Sequence, residues 1–272
     1  MTERVRWEEL PAELRDTIQA HTGPVIASKS VASGFNCTVA LEMHTRGNGR
    51  LFLKGVRTSD KRGMDGLLRE ERINSIVGGI GPAIRHRFDA TGWFALAFTH
   101  IDGRHVDYGP GTNDLKAVAD TLHRMHDLRA PAFPVPQLSD RFDVPLDPGE
   151  AEALHGTHLL HTDTNPHNVL IDQDSGTAYL VDWAMPALGP PWVDAAYTAT
   201  WLMCLEQSPA DALAWLAGIP SWQQADPRAV EAFVDVTCRD FTASVGAQDA
   251  AASNTRFRYL LTALRTQPGP HS

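Results

Sequence analysis

The chain has 272 residues, of which 43% are hydrophobic and 21% charged, and its formal net charge is −9 at pH 7. This length fits one large domain or two lobes, and an acidic pI without a basic stripe argues against a nucleic-acid partner. The three cysteines, Cys37, Cys204 and Cys238, are widely spaced and form no C-x-x-C pair, which argues against a disulfide scaffold or a structural zinc site.

No apolar run approaches the roughly 20 residues that a membrane span requires. The N-terminal residues are polar and do not show the charged-then-apolar order of a signal peptide. We therefore expect a cytoplasmic protein, monomeric or homodimeric, that has no membrane partner.

The first hundred residues alternate between helical and strand patterns. Apolar spacing predicts a helix, three strands, a second helix and a hairpin, in the order 7–21, 25–27, 37–41, 50–56, 66–77, 83–89 and 93–99. The remainder is mainly helical in pattern, apart from a Pro-rich loop over 130–149. Its predicted helices are 112–128, 192–218, 227–244 and 252–265.

The most informative stretch is 161–183. It has the pattern H-x-D-x-x-x-x-N, in which Asp163 is followed by Asn168, then two short apolar strands, then Asp182-Trp183. Phosphoryl transfer needs one carboxylate to orient a hydroxyl and accept its proton, and oxygen ligands to hold Mg²⁺ against the phosphates. The residues alone also permit a metal-dependent hydrolase, with His161, Asp163, His167 and Asp182 as ligands.

A second candidate group lies upstream. Lys54 stands inside the apolar strand Leu51-Phe52-Leu53-Lys54-Gly55-Val56, and a lysine in such a strand usually needs a partner. The following predicted helix offers Glu70 and Glu71, and helical spacing permits either. The hydrolase hypothesis gives no reason for the lysine, for the helix carboxylate or for Asn168.

Together these motifs resemble the aminoglycoside phosphotransferase family of small-molecule kinases. The resemblance implies an α+β, two-lobed, protein-kinase-like fold, with an N-terminal nucleotide-binding lobe over 1–99 and a catalytic, substrate-binding lobe over 100–272. Thr162 departs from the family, because the loop there usually reads H-G-D and a β-branched residue does not share glycine's access to positive φ.

The resemblance also implies a role for each site residue. Asp163 is the catalytic base, Asn168 and Asp182 are the ligands of Mg²⁺, and Lys54, held by Glu70, binds the phosphates of ATP or GTP. Asp194 matches a family segment and either holds the catalytic loop or caps the helix that follows it. The nucleotide loop is assigned to Ser33, Gly34 and Phe35, which lie in the segment between the first two strands.

The acceptor is expected to be a small hydroxylated molecule. Residues 1–99 hold 14 Lys+Arg against 11 Asp+Glu, whereas residues 100–272 hold 10 against 22, so an acidic second half would attract a cationic acceptor. The resemblance implies an antibiotic, as in resistance or self-protection, or a metabolite such as choline, homoserine or a sugar. A nucleotide-binding pseudokinase stays open as an alternative because of Thr162 and the glycine-poor loop.

Overall fold

The structure, a computed structural model, describes residues 4–31, 37–128 and 131–264. The chain divides into two compact units, of which the first combines Met1–Arg104 with Leu170–Met185 and the second combines His105–Val169 with Pro186–Ser272. The lobes predicted from the sequence meet between residues 99 and 100, and that division stays a prediction. The two units differ from it because a late segment of sixteen residues groups with the N-terminal part.

The first unit is built on a five-stranded antiparallel sheet. Its strands are β1 (Val25–Ser30), β2 (Val39–Thr45), β3 (Gly49–Arg57), β4 (Ile84–Ala90) and β5 (Trp93–Thr99). The order across the sheet is β1-β2-β3-β5-β4, so β3 is central. Because side chains alternate between the two faces of a strand, β3 contributes to two separate cores.

A helix covers each face of this sheet. Helix α1 (Ala12–Thr22) lies on the face where Leu51 and Leu53 of β3 are buried. Helix α2 (Lys61–Asn74) packs on the opposite face, through Leu67 against the buried Val56. Lys54 shares its side of β3 with Val56 and therefore points towards α2.

Helix α2 begins earlier than the predicted 66–77. The Asp60 carboxylate accepts a hydrogen bond from the Gly63 backbone N–H at 3.0 Å and caps the N-terminus of the helix. This cap offsets the weak helix propensity of Gly63 and Gly66, which lie in the first two turns.

The first unit also takes part in a three-stranded sheet of order β6-β8-β9. The strands are β6 (Gly103–His105), β8 (Val169–Asp172) and β9 (Ala178–Leu180). Asp182 follows β9 by two residues, and the Leu180 N–H donates to the Ile80 carbonyl at 2.8 Å. This contact ties the segment that carries Asp182 to the loop after α2.

The second unit is mainly helical and contains a short two-stranded antiparallel sheet, β7 (His158–Leu160) with β10 (Ala187–Gly189). Its helices are α3 (Leu115–His126), α4 (Pro148–Ala153), α5 (Val193–Cys204), α6 (Pro209–Ala217), α7 (Pro220–Gln223), α8 (Pro227–Val245) and α9 (Ala247–Leu264). Trp192, Tyr197, Phe233 and Phe257 pack edge to face in the core between α5, α8 and α9.

The stretch over 192–218 that the sequence predicts as helical consists of two separate helices, α5 and α6. Glu206 has φ +72, which a continuing helix does not allow, and the Ser208 hydroxyl accepts from the Asp211 N–H to start α6. Within the described ranges, none of the helices combines the length and apolarity needed to cross a bilayer.

Candidate active site

Lys54 of the first unit lies between two carboxylates. Its Nζ donates to Glu70 Oε1 at 2.6 Å and to Asp182 Oδ1 at 2.8 Å. The three side chains are 12%, 3% and 21% exposed, so the pairs are largely removed from water. The structure therefore brings together three residues that are 16 and 128 positions apart in the chain.

Helix periodicity decides which carboxylate reaches Lys54. Glu70 lies on the buried face of α2 with Leu67 and Ile73, three residues to either side. Glu71 faces elsewhere, and its Oε1 lies 3.0 Å from Arg87 Nε. Of the two alternatives that the sequence leaves open, Glu70 is the one placed at the lysine.

Burial and charge act in opposite directions on this cluster. Burial opposes the charged form of Lys54, but the carboxylates of Asp182 and Glu70 outweigh it and raise the lysine pKa above its ordinary value. Burial also raises the pKa of Glu70 to about 7; the Lys54 ammonium opposes this shift and the nearby Asp182 adds to it. One ammonium thus serves two carboxylates.

A tight turn after β9 positions Asp182. Asp182 has φ +67, and the Trp183 indole N–H donates to the Leu180 carbonyl at 2.9 Å. Gly81 packs against this turn so closely that a Cβ there would lie 2.9 Å from the Leu180 carbonyl oxygen. The glycine is therefore required by contact with neighbouring atoms rather than by its own φ.

Asp163 of the second unit has an exposed side chain that two amides hold in place. Its Oδ1 accepts from Asn165 Nδ2 at 2.7 Å, and its Oδ2 accepts from Asn168 Nδ2 at 3.0 Å. The role of Asn165 was not predicted, although Asn before Pro is a turn signal that marks this position. An accessible carboxylate with a fixed orientation suits proton transfer.

Asp194 is the buried support of this loop. Its Oδ2 accepts from the His161 N–H at 2.8 Å and its Oδ1 from the Thr162 N–H at 2.7 Å. Burial raises the pKa of Asp194, although His161 and the two backbone donors oppose that shift. Of the two roles considered from the sequence, holding the loop is the one observed, since Trp192 occupies the N-cap of α5.

Thr162 adopts the backbone conformation that glycine would favour, with φ +68. The loop therefore has a left-handed turn at the position where the family sequence usually has glycine. Arg141, which the sequence analysis did not identify, donates from Nη1 to the Thr162 hydroxyl at 2.7 Å. No local motif connects these two residues, which are 21 positions apart.

The histidines of the motif have separate environments. His161 is buried, and its Nδ1 lies 3.3 Å from the Asp163 backbone nitrogen. His167 is exposed, and its ring centroid lies 5.5 Å from that of His105.

Across 4–31, 37–128 and 131–264, no three His, Cys, Asp or Glu side chains are grouped so that they could hold a metal ion. The predicted nucleotide-loop residues Ser33, Gly34 and Phe35 lie outside the described residues.

Part of the chain matches a known protein family. Residues 150–233, which include the loop of Asp163 and the carboxylates of Asp182 and Asp194, match the phosphotransferase enzyme family. The match confirms the resemblance to the aminoglycoside phosphotransferases and the prediction of a phosphotransferase. No curated protein sequence matches the chain.

Solved structures share the fold over nearly the whole chain. They include the GDP complex of a mutant aminoglycoside 2'-phosphotransferase IIIa (14% identity, 93% of this chain and 96% of that chain, TM-score 0.58). A macrolide 2'-phosphotransferase from Brachybacterium faecium has 14% identity, coverage of 97% and 100%, and TM-score 0.54. A choline kinase from Streptococcus pneumoniae has 12% identity, coverage of 93% and 98%, and TM-score 0.52. The predicted α+β, kinase-like fold is confirmed.

Proposed function

We propose that this phosphotransferase transfers the γ-phosphoryl group of ATP or GTP to a hydroxyl of a small molecule. The observation that carries the proposal is Lys54, whose ammonium lies 2.6 Å from Glu70 and 2.8 Å from Asp182. A lysine fixed by a helix carboxylate offers a positioned positive charge to nucleotide phosphates. The loop residues Ser33, Gly34 and Phe35 keep their predicted role beside those phosphates.

Asp163 is the proposed catalytic base. Its carboxylate is exposed, so a substrate hydroxyl can reach it, and the amides of Asn165 and Asn168 fix its direction. Such a group orients the acceptor hydroxyl and takes its proton while the phosphoryl group is transferred. Positioning accounts for most of the catalysis because the transition state is loose.

Asn168 and Asp182 are the proposed ligands of Mg²⁺, and their oxygen atoms suit this hard cation. Asn168 Nδ2 donates to the carboxylate and to the backbone carbonyl of Asp163. These two bonds fix the orientation of the amide. Its Oδ1 accepts no hydrogen bond from the described residues, so this oxygen is the atom proposed to bind the cation. Asp182 has a side chain that is 21% exposed. When bound, Mg²⁺ would supply neutralisation of the phosphate charge.

The proposed acceptor is a cationic, hydroxylated antibiotic. The excess of 22 acidic over 10 basic residues in 100–272 favours a cation, and proteins of the same fold are named for aminoglycosides and macrolides. A choline kinase shares the fold as well. A metabolite kinase for choline, homoserine or a sugar is therefore the second candidate.

A mass-spectrometric screen tests the function. The full chain is incubated with Mg²⁺ and either ATP or GTP, together with hydroxylated antibiotics and with choline, homoserine and sugars. A product heavier by one phosphoryl group is expected from the wild type and is expected to be lost with Asp163→Ala. Asp172→Ala is the matched control, since this carboxylate caps a nearby turn through Ser175 and has no proposed catalytic role.

Two outcomes contradict the proposal. Nucleotide binding without turnover on any acceptor would favour a pseudokinase. Turnover that survives Asp163→Ala at the wild-type rate would remove Asp163 from the mechanism while leaving the phosphotransferase activity in place.

A further inference from the structure

The backbone just before the proposed base is held in an unfavourable conformation. Thr162 is β-branched, yet its φ is +68, and the residue is only 8% exposed. Such a residue persists at positive φ only where its surroundings determine the conformation. The contacts of Thr162 should therefore include groups that hold the turn.

Two side chains form hydrogen bonds with different atoms of Thr162. Asp194 Oδ1 accepts from its N–H, and Arg141 Nη1 donates to its Oγ1, both at 2.7 Å. The first bond uses only the backbone N–H of Thr162, so it would also exist with glycine at this position. The second needs the hydroxyl, and its donor is charged, which makes it stronger than a neutral hydrogen bond.

Arg141 stands on a fixed base. It ends the 3₁₀ helix Leu138–Arg141, in which Leu138 is 1% exposed. Just before that helix, the Pro136 carbonyl accepts from the Leu188 N–H of β10 at 2.8 Å. The guanidinium therefore approaches the loop from a segment that is itself bonded to the sheet.

The charge of Arg141 also reaches the second support of the loop. Burial raises the pKa of Asp194, and Arg141 is among the groups that oppose this shift and favour the ionised carboxylate. An ionised Asp194 accepts from both backbone N–H groups at once. Arg141 thus supports the turn directly through the hydroxyl and indirectly through Asp194.

We propose that Arg141 is a positioning residue for Asp163, acting through its hydrogen bond to the Thr162 hydroxyl. The bond fixes the left-handed turn one residue before the carboxylate and so sets its direction towards the acceptor. This inference rests on the proposed role of Asp163. It adds a side chain from outside the motif to the machinery of the loop.

A double-mutant cycle tests the proposal. Wild type, Arg141→Met, Thr162→Gly and the double variant are compared by phosphate release from Mg²⁺-ATP, which needs no identified acceptor. With Thr162 present, Arg141→Met should lower kcat about tenfold, since small misplacements of a reacting group are costly, and leave the KM for ATP unchanged. In the Thr162→Gly variant, which lacks the hydroxyl, the same change should have little effect on kcat. With Thr162 present, Arg141→Lys should keep part of the turnover that Arg141→Met loses.

A matched control separates positioning from general stability. Arg239 of the same unit bonds Asp235 and Glu150, neither of which lies in the loop, so Arg239→Met should lower the melting temperature but not kcat. Equal losses of kcat from Arg141→Met in the presence and absence of the Thr162 hydroxyl would overturn the role through Thr162. So would a response of Arg141→Met that matches Arg239→Met.

Hydrogen exchange gives a readout that does not depend on activity. With Thr162 present, Arg141→Met should speed exchange of the loop amides of residues 161–163; in the Thr162→Gly variant it should not. If this pattern holds but the wild type turns over no nucleotide, the proposed function fails and the coupling stands. Unchanged exchange in active Arg141→Met would overturn the coupling and leave the function intact.

Discussion

Lys54 Nζ lies 2.6 Å from Glu70 Oε1, and the same ammonium lies 2.8 Å from Asp182 Oδ1. This single cation compensates two carboxylates, one on helix α2 and one after strand β9. Removing any of the three charges changes the balance for the other two. The cluster therefore connects the stability of the first unit to its proposed binding of phosphates.

Lys54→Met should destabilise the protein by about 3 kcal/mol, the lower end for breaking a buried ion pair, because Asp182 keeps some contact with water. The change leaves two neighbouring carboxylates without their cation. Urea denaturation measures the free energy of unfolding. Lys116→Met is the control, since its pair with Asp120 is exposed, and it should cost less than about 1 kcal/mol. Equal losses in the two variants would contradict the buried cluster.

Glu70→Gln should change how stability depends on pH. Burial raises the pKa of Glu70 from 4.5 to about 7 in the folded chain. In the unfolded chain the group loses its proton near 4.5, so its contribution to stability is fully present below that pH and is lost as the pH rises towards 7. Urea titrations from about pH 5 to about pH 8 should show this decline in the wild type and a flatter profile in Glu70→Gln. If stability fell with pH in the same way in the wild type and in Glu70→Gln, the raised pKa of Glu70 would be contradicted.

Asp194→Ala should cost about 2 kcal/mol or more, because two N–H groups, those of His161 and Thr162, lose a buried acceptor. Turnover should fall as well, since the loop that carries Asp163 loses its support. Circular dichroism melts and activity assays follow the two effects. Asp211→Ala, which removes an exposed carboxylate bonded to Ser208, should leave turnover unchanged. An Asp194→Ala protein with wild-type stability and rate would refute this support.

Asp163→Ala and Asp182→Ala should separate catalysis from nucleotide binding. The first variant should lose turnover and keep its affinity for Mg²⁺-nucleotide, because the base acts on the acceptor. The second should lose Mg²⁺-dependent affinity, since it removes a proposed ligand. Calorimetric titration of ATP with and without Mg²⁺ measures both. Undiminished binding by Asp182→Ala would contradict the metal role.

Gly81→Ala should destabilise the turn that carries Asp182 by about 1–3 kcal/mol, because the added Cβ would lie 2.9 Å from the Leu180 carbonyl oxygen. Gly79→Ala is a comparison of a different kind: its φ of +80 strains an added side chain, but no atom would lie within 4 Å of the new Cβ. Thermal melts compare the two. A Gly81→Ala protein that melts with the wild type and binds nucleotide equally would show that the close approach is unimportant.

The sequence predicts those features of the site that follow from regular spacing. Period-2 alternation places Lys54 on the α2 side of β3, and the buried face of α2 selects Glu70 once the helix is in position. Glu71 stays an open alternative in the sequence, because its partner Arg87 belongs to a distant strand. Only tertiary packing decides between the two carboxylates.

Features that depend on special backbone conformations escape prediction. The chain separates into α5 and α6 at Glu206, which has φ +72. This separation is not predicted, because a glutamate rarely adopts positive φ. The left-handed backbone at Thr162 also escapes prediction, because a β-branched residue gives no sign of positive φ. The hydrogen bond from Arg141 to Thr162 likewise joins two residues that no motif connects.

The bond between Arg141 and Thr162 has a consequence for how such chains diverge. A glycine in place of Thr162 would adopt the positive φ at little cost and would not need a hydrogen bond from an arginine. A residue with a hydroxyl group at this position needs the arginine to stabilise the turn. The two positions should therefore change together among relatives. Chains with Ser or Thr before the loop aspartate should retain a cation at position 141, and chains with Gly should be free to lose it.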